Sequence, residues 1–168
     1  MVDFAGFAAL PITYCKYLIA ASTTFQSWTS QGTYTLAKTR VYELAISTPA
    51  SADYPYAAVG PRQDEPFRIE KIAEPAGFEA AGTLAVLFCD DYASGDETDA
   101  AKTFYNAVVG IVKDMAVNSG KNSDSDLFLD FVSANCVDWG LSHPDSHTKE
   151  ARRFMARFDV PWANAKVY

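Results

Sequence analysis

The sequence predicts an α+β fold, in which a mostly antiparallel sheet packs against two main helices within a single domain. The chain has 168 residues, which suits one domain of ordinary size. Hydrophobic residues make up 49% of it and aromatic residues 14%, so a sizeable core can be buried. Strand-like segments also follow one another without helices between them, which favours antiparallel pairing with the helices on one face.

The N-terminal segment is apolar but has no period. Residues 1–11 (MVDFAGFAALP) therefore predict an arm, and residues 12–168 the single α+β domain. An apolar arm needs a surface to cover it, and a neighbouring subunit is one candidate. Phe4 and Phe7 are the candidate interface residues of this arm.

Residues 11–28 predict the first helix of the domain. Tyr14, Leu18 and Phe25 share one face at helical spacing. Gly32 follows as the residue that we expect to break the helical stretch.

Four strands are predicted next. Residues 40–47 and 67–73 alternate between apolar and polar side chains, the period of a half-buried strand. Residues 54–59 form another strand, and Pro55 at its start indicates a sheet edge or a strand entrance. The continuous apolar run 83–89 indicates a strand that is covered on both faces or lies in the centre of a sheet.

The clearest helix follows this central strand. Ser94 and Glu97 can form a capping box at its start, and Gly120 is a usual signal for its end. One face carries an apolar stripe at positions i, i+4, i+7 and i+11, formed by Phe104, Val108, Ile111 and Met115.

The last part of the chain predicts two strands. Residues 127–141 are long and strand-like, and residues 154–162 give the cleanest alternation of the chain. We expect the second of these strands to have one buried face and one wet face. Its predicted buried face consists of Phe154, Ala156, Phe158, Val160 and Trp162.

The charge of the chain is acidic, with 21 Asp and Glu against 14 Lys and Arg and a net charge of −7. The sequence has no dense basic run to neutralise phosphates, so a surface that grips nucleic acid is not expected. A surface that lets DNA pass without binding agrees with this charge, because like charges repel.

The three cysteines, Cys15, Cys89 and Cys136, form no CxxC pair and no metal-type spacing. We expect them to act as small hydrophobic side chains in a reducing compartment. The N-terminus has Asp3 and no positively charged region, so a signal peptide is not expected. No apolar run reaches the roughly 20 residues that span a bilayer.

Candidates for chemistry are few. His143, Asp145 and His147 either bind a metal or form a solvated turn, and Pro144 favours the turn. The acidic stretch of residues 90–99 lacks the ligand order of a calcium loop, and the end of a strand plus a helix N-cap explains the same residues. That stretch contains Asp90, Asp91, Ser94, Asp96, Glu97 and Asp99.

Nucleotide and nucleophile motifs are not formed. Gly120 and Lys121 lack the glycine that a phosphate loop needs five residues earlier. GxSxG does not occur, and two histidines in one turn supply a catalytic triad poorly. The sequence therefore predicts no catalytic residue, no cofactor and no metal.

The aromatic residues near prolines and the C-terminus allow two interpretations. Tyr and Trp are favoured at subunit interfaces, but the same side chains also fill ordinary cores. The candidates are Tyr54, Tyr56, Trp162 and Tyr168.

Three stretches carry a resemblance to a known family. AASTTFQSW (residues 20–28) leads through AKTRVY (37–42) into a strand, and YPYAAVG (54–60) follows. GTLAVLF (82–88) precedes an acidic turn and an amphipathic helix, and ARFDVPW (156–162) ends the pattern. In this layout, which covers nearly the whole chain with short motifs, the chain resembles the tail-terminator or tail-completion proteins of long-tailed bacteriophages.

This resemblance implies a structural protein of the virion with no active site. Such proteins form rings, commonly hexamers, that cap the tail tube and join it to the head. The implied partners are further copies of the chain, the tail tube protein and the head–tail connector protein, while DNA passes through without specific binding. The N-terminal arm has no counterpart in the resemblance. Another neck or connector protein, an assembly adaptor and a small enzyme remain as alternatives.

Overall fold

The computed structural model describes residues 4–43, 53–62, 64, 68–72, 77–92, 97–119, 127–129, 135–142 and 152–167. Within these ranges the chain forms four helices and a sheet of seven strands. The predicted α+β class with a mostly antiparallel sheet is confirmed. The elements are α1 (Phe4–Ala21), α2 (Thr23–Trp28), α3 (Tyr34–Lys38), β1 (Val41–Glu43), β2 (Tyr56–Pro61), β3 (Arg68–Ile72), β4 (Gly77–Tyr92), α4 (Glu97–Asn118), β5 (Leu127–Leu129), β6 (Asn135–Ser142) and β7 (Arg152–Val167).

The helical N-terminus differs from the prediction at both of its boundaries. Helix α1 begins at Phe4, before residue 11, where the helix was predicted to begin. The predicted single helix of residues 11–28 is wrong at Ser22, which has extended backbone angles and divides α1 from α2. Its hydroxyl accepts a hydrogen bond of 3.1 Å from the backbone N–H of Phe25, because serine is a favoured N-cap.

Strands β4 and β7 form the centre of the sheet and pair antiparallel over all 16 residues of each. The order is β1-β2-β4-β7-β5, with β3 also on β4 and β6 also on β7. Strands β1 and β2 pair in parallel. The prediction that residues 83–89 lie in a central strand is confirmed.

Pro55 lies at the entrance of a strand, one of its two predicted positions. It precedes β2, so its missing N–H removes no bond from the ladder. Strand β2 is not at an edge, because it lies between β1 and β4. The final strand β7 is internal as well, since it pairs with β4, β5 and β6.

The predicted long strand of residues 127–141 is two strands, β5 and β6, which bind different stretches of β7. Several predicted features lie outside the described residues. These are residues 44–47 of the first strand, the cap at Ser94, the helix stop at Gly120, and the turn with His143, Asp145 and His147.

The main core lies between the helices and one face of the sheet. Leu84, Val86 and Phe88 of β4 point to this face and are buried, as alternation along a strand requires. The predicted α4 stripe of Phe104, Val108, Ile111 and Met115 is buried against them, which confirms it. On β7 the predicted inner face is confirmed as well, with Phe158 partly buried; the outer face is not wholly wet, because Asp159 is buried.

A smaller apolar cluster occupies the opposite face of the sheet. Tyr56, Ala58 and Cys89 are buried there. The rings of Tyr42 and Tyr54 lie 5.4 and 5.2 Å from that of Tyr56. Cys15 and Cys89 are both buried, as predicted for small hydrophobic side chains.

Helix α4 meets α2 at a glycine. A Cβ atom added to Gly110 would lie 2.8 Å from Cγ2 and 3.3 Å from Oγ1 of Thr24. Such contacts are closer than packed side chains tolerate, so the absence of a side chain at position 110 sets how closely the two helices approach.

Gly110→Ala is therefore expected to destabilise the fold by about 1–2 kcal/mol, because overpacking outweighs the roughly 1 kcal/mol gained in helix propensity. Urea unfolding measures this change. In a Thr24→Ser background, which removes Cγ2 and keeps the hydroxyl, the same substitution should be neutral or stabilising. An equal loss in both backgrounds would show that Thr24 is not the cause.

Candidate assembly surface

Three acidic residues of the described chain each hold a structural contact: the half-buried Asp90 and Asp114 and the buried Asp159. Asp90 lies near the end of β4. Its Oδ2 accepts a hydrogen bond of 3.1 Å from the indole N–H of Trp28. Burial raises the pKa of Asp90 to about 6, against the opposing effect of this bond and of the Asp91 backbone N–H. The carboxylate thus fixes the C-terminal end of α2 to the sheet.

Asp90→Asn is expected to stabilise the protein at pH 7.5 and to have little effect at pH 4. The folded chain holds the Asp90 proton more tightly than the unfolded chain, whose pKa is near 3.8, so stability falls as pH rises from about 4 to about 6. Discounted for partial exposure, the gain at pH 7.5 is about 1–2 kcal/mol. Denaturant unfolding at both pH values measures it, with Asp91→Asn as a control that should change far less. The same gain at both pH values would contradict the assignment.

Asp114 of α4 caps the neighbouring helix α2. Its Oδ2 accepts hydrogen bonds from the Ser22 hydroxyl at 2.7 Å and from the Thr24 backbone N–H at 3.3 Å. Although burial alone would raise it, these hydrogen bonds lower the pKa of Asp114 below its ordinary value. A carboxylate at a helix N-terminus is favourable, so this residue also serves the fold.

Asp159 lies on the sheet face opposite the helices and is buried. Its carboxylate contacts Nη1 of Arg62 and Nη2 of Arg157, each at 3.2 Å. Arg62 in turn bonds the exposed Asp64 through two contacts of 2.6 Å. Arg62 directly follows β2, whereas Arg157 and Asp159 lie on β7, so this group of opposite charges links the end of β2 to β7.

Metal binding finds no support among the residues that the structure describes, because no group of three or more His, Cys, Asp or Glu side chains there is placed to hold a metal. Burial raises the pKa of Cys15 to about 12, so its thiol stays protonated and unreactive. From the acidic stretch, Asp99 is exposed and contacts Lys102 at 3.5 Å. None of the described helices is long and apolar enough to cross a membrane.

Of the predicted interface residues, the structure brings Tyr54 and Tyr56 together. Tyr56 and Trp162 are 0% and 4% exposed, so both pack inside this chain and neither offers surface to a second subunit. Tyr54 is half-buried beside Tyr56. Phe4 and Phe7 fall in α1 with side chains outside the described part. Tyr168 is outside it altogether.

Large apolar side chains are exposed elsewhere, on the outer side of the helices. Along α4, Tyr105, Val109 and Ala116 are exposed and Val112 is half-buried; these four residues are called the α4 stripe below. They repeat at the spacing of the core stripe, one position further along the helix. This second apolar repeat is visible in the sequence and could have predicted the residues of the α4 stripe.

A second group joins α1 to α3, in which Tyr17 and Leu36 are exposed and Tyr34 is half-buried; these three residues are called the α1–α3 patch below. The rings of Tyr17 and Tyr34 lie 5.5 Å apart, and the Tyr17 ring stacks on that of Tyr14 at 6.4 Å. The ammonium group of Lys38 lies 5.9 Å from the centre of the Tyr34 ring. Exposed groups of this kind are typical of sites for protein partners.

Comparison with solved structures gives structural likenesses, whereas the other comparisons give none. No family model matches the chain, and no curated protein matches it. Among solved structures, the chain is similar to a protein chain in the virion of a native gene transfer agent particle. The two are 17% identical with a TM-score of 0.41, over 98% of this chain and 100% of the other.

Proposed function

We propose that this chain is a structural protein of a phage-like virion, and specifically a tail terminator. In this role it forms a ring at the end of the tail tube and helps to join the tail to the head. One observation carries the proposal: Asp90, Asp114 and Asp159 serve the fold, while large apolar side chains stay exposed on the helices.

The first half of that observation favours a structural role. A catalytic site brings an acid or base, a nucleophile and a stabilising donor toward one reacting atom. In the described chain, Asp90 binds an indole N–H, Asp114 caps a helix and Asp159 joins two arginines. These three carboxylates lie in separate parts of the fold and already have their partners.

The second half favours assembly. Burying an exposed apolar side chain against a partner is favourable by roughly 25 cal/mol for each Å² removed from water. Both the α4 stripe and the α1–α3 patch offer such area on helices rather than on loops. A rigid surface of this kind suits a subunit that assembles without refolding.

The acidic charge of the chain suits a ring around DNA. With a net charge of −7 on each subunit, a ring of six, the number that the resemblance implies, has a negative lumen that repels the phosphate backbone. The proposed partners are the tail tube protein below the ring and the head–tail connector above it.

Electron microscopy of particles made without this protein tests the proposal. Loss of a terminator should give overlong tails or tails that are not attached to heads. Complementation with the wild-type gene is the control and should restore tail length and attachment. Particles of normal form and length without the protein would refute the role.

A further inference from the structure

We draw no further inference here: the strongest candidate, the outer surface of the helix layer that carries the α4 stripe and the α1–α3 patch, carries no proposal because nothing in the structure shows what covers it.

Discussion

Phe104→Ala is expected to lower the free energy of unfolding by about 3–5 kcal/mol, the usual loss for removing a buried phenylalanine. Phe104 is 1% exposed. Its ring stacks on that of Phe154 from β7 at 5.5 Å and lies 5.9 Å from that of Trp28 of α2. The Phe104 side chain thus joins α4 to the sheet and to helix α2. Its removal leaves a cavity that the surrounding packed side chains fill poorly.

Equilibrium unfolding in urea, followed by far-UV circular dichroism, measures this loss. Val117→Ala on the same helix is the matched control, because Val117 is exposed and surface substitutions usually change stability by less than about 0.5 kcal/mol. A loss below about 1 kcal/mol for Phe104→Ala would mean that α4 does not pack on the sheet as described.

Asp159→Ala is expected to lower the free energy of unfolding by about 2–3 kcal/mol. Removing one partner of a buried ion pair usually costs about 3–5 kcal/mol, and the estimate is reduced here because Arg62 and Arg157 are partly exposed. The substitution leaves two guanidinium groups side by side without the carboxylate that separates them. Thermal and urea unfolding at pH 7 both report the change.

Asp64→Ala provides the comparison for Asp159. Asp64 bonds the same Arg62 side chain, but its own side chain is exposed. Exposed pairs contribute little because water and salt screen them, so the control should unfold almost as the wild type does. Equal losses for the two variants would contradict the structural role of Asp159.

The long one-sided elements of the fold were predictable from the sequence. The stripe through Phe104 and Met115 and the alternation along residues 154–162 each repeat over many residues, and both are buried as expected. The break at Ser22 was not predictable, because the apolar spacing continues across it to Phe25. Its cap depends on Asp114, which is 92 residues away in sequence and is brought close only by the packing of α4.

The position of β2 shows the same limit at the level of the sheet. Pro55 shows that one backbone donor is missing, which fits both a sheet edge and a strand entrance. The sequence does not show that the ladder begins one residue later, at Tyr56. Tertiary pairing then places the strand between β1 and β4. A local sequence pattern sets which residues form a strand, while the neighbours of that strand depend on distant segments.

The exposure of aromatic side chains was the hardest feature to predict, because such side chains suit a core and an interface equally well. Tyr56 is buried since the parallel pairing of β1 and β2 brings Tyr42 beside it. Tyr105 and Val109, in contrast, stand on the same helix as the core stripe but turn outward. Only the packing of the helices and strands shows which of these side chains are buried and which are exposed.

Cryo-electron microscopy of purified particles from the genome that encodes this chain tests the central claim most directly. We expect this chain as a closed ring at the head-proximal end of the tail tube. Particles whose tail end is built from other proteins, with no density for this chain, would contradict the account.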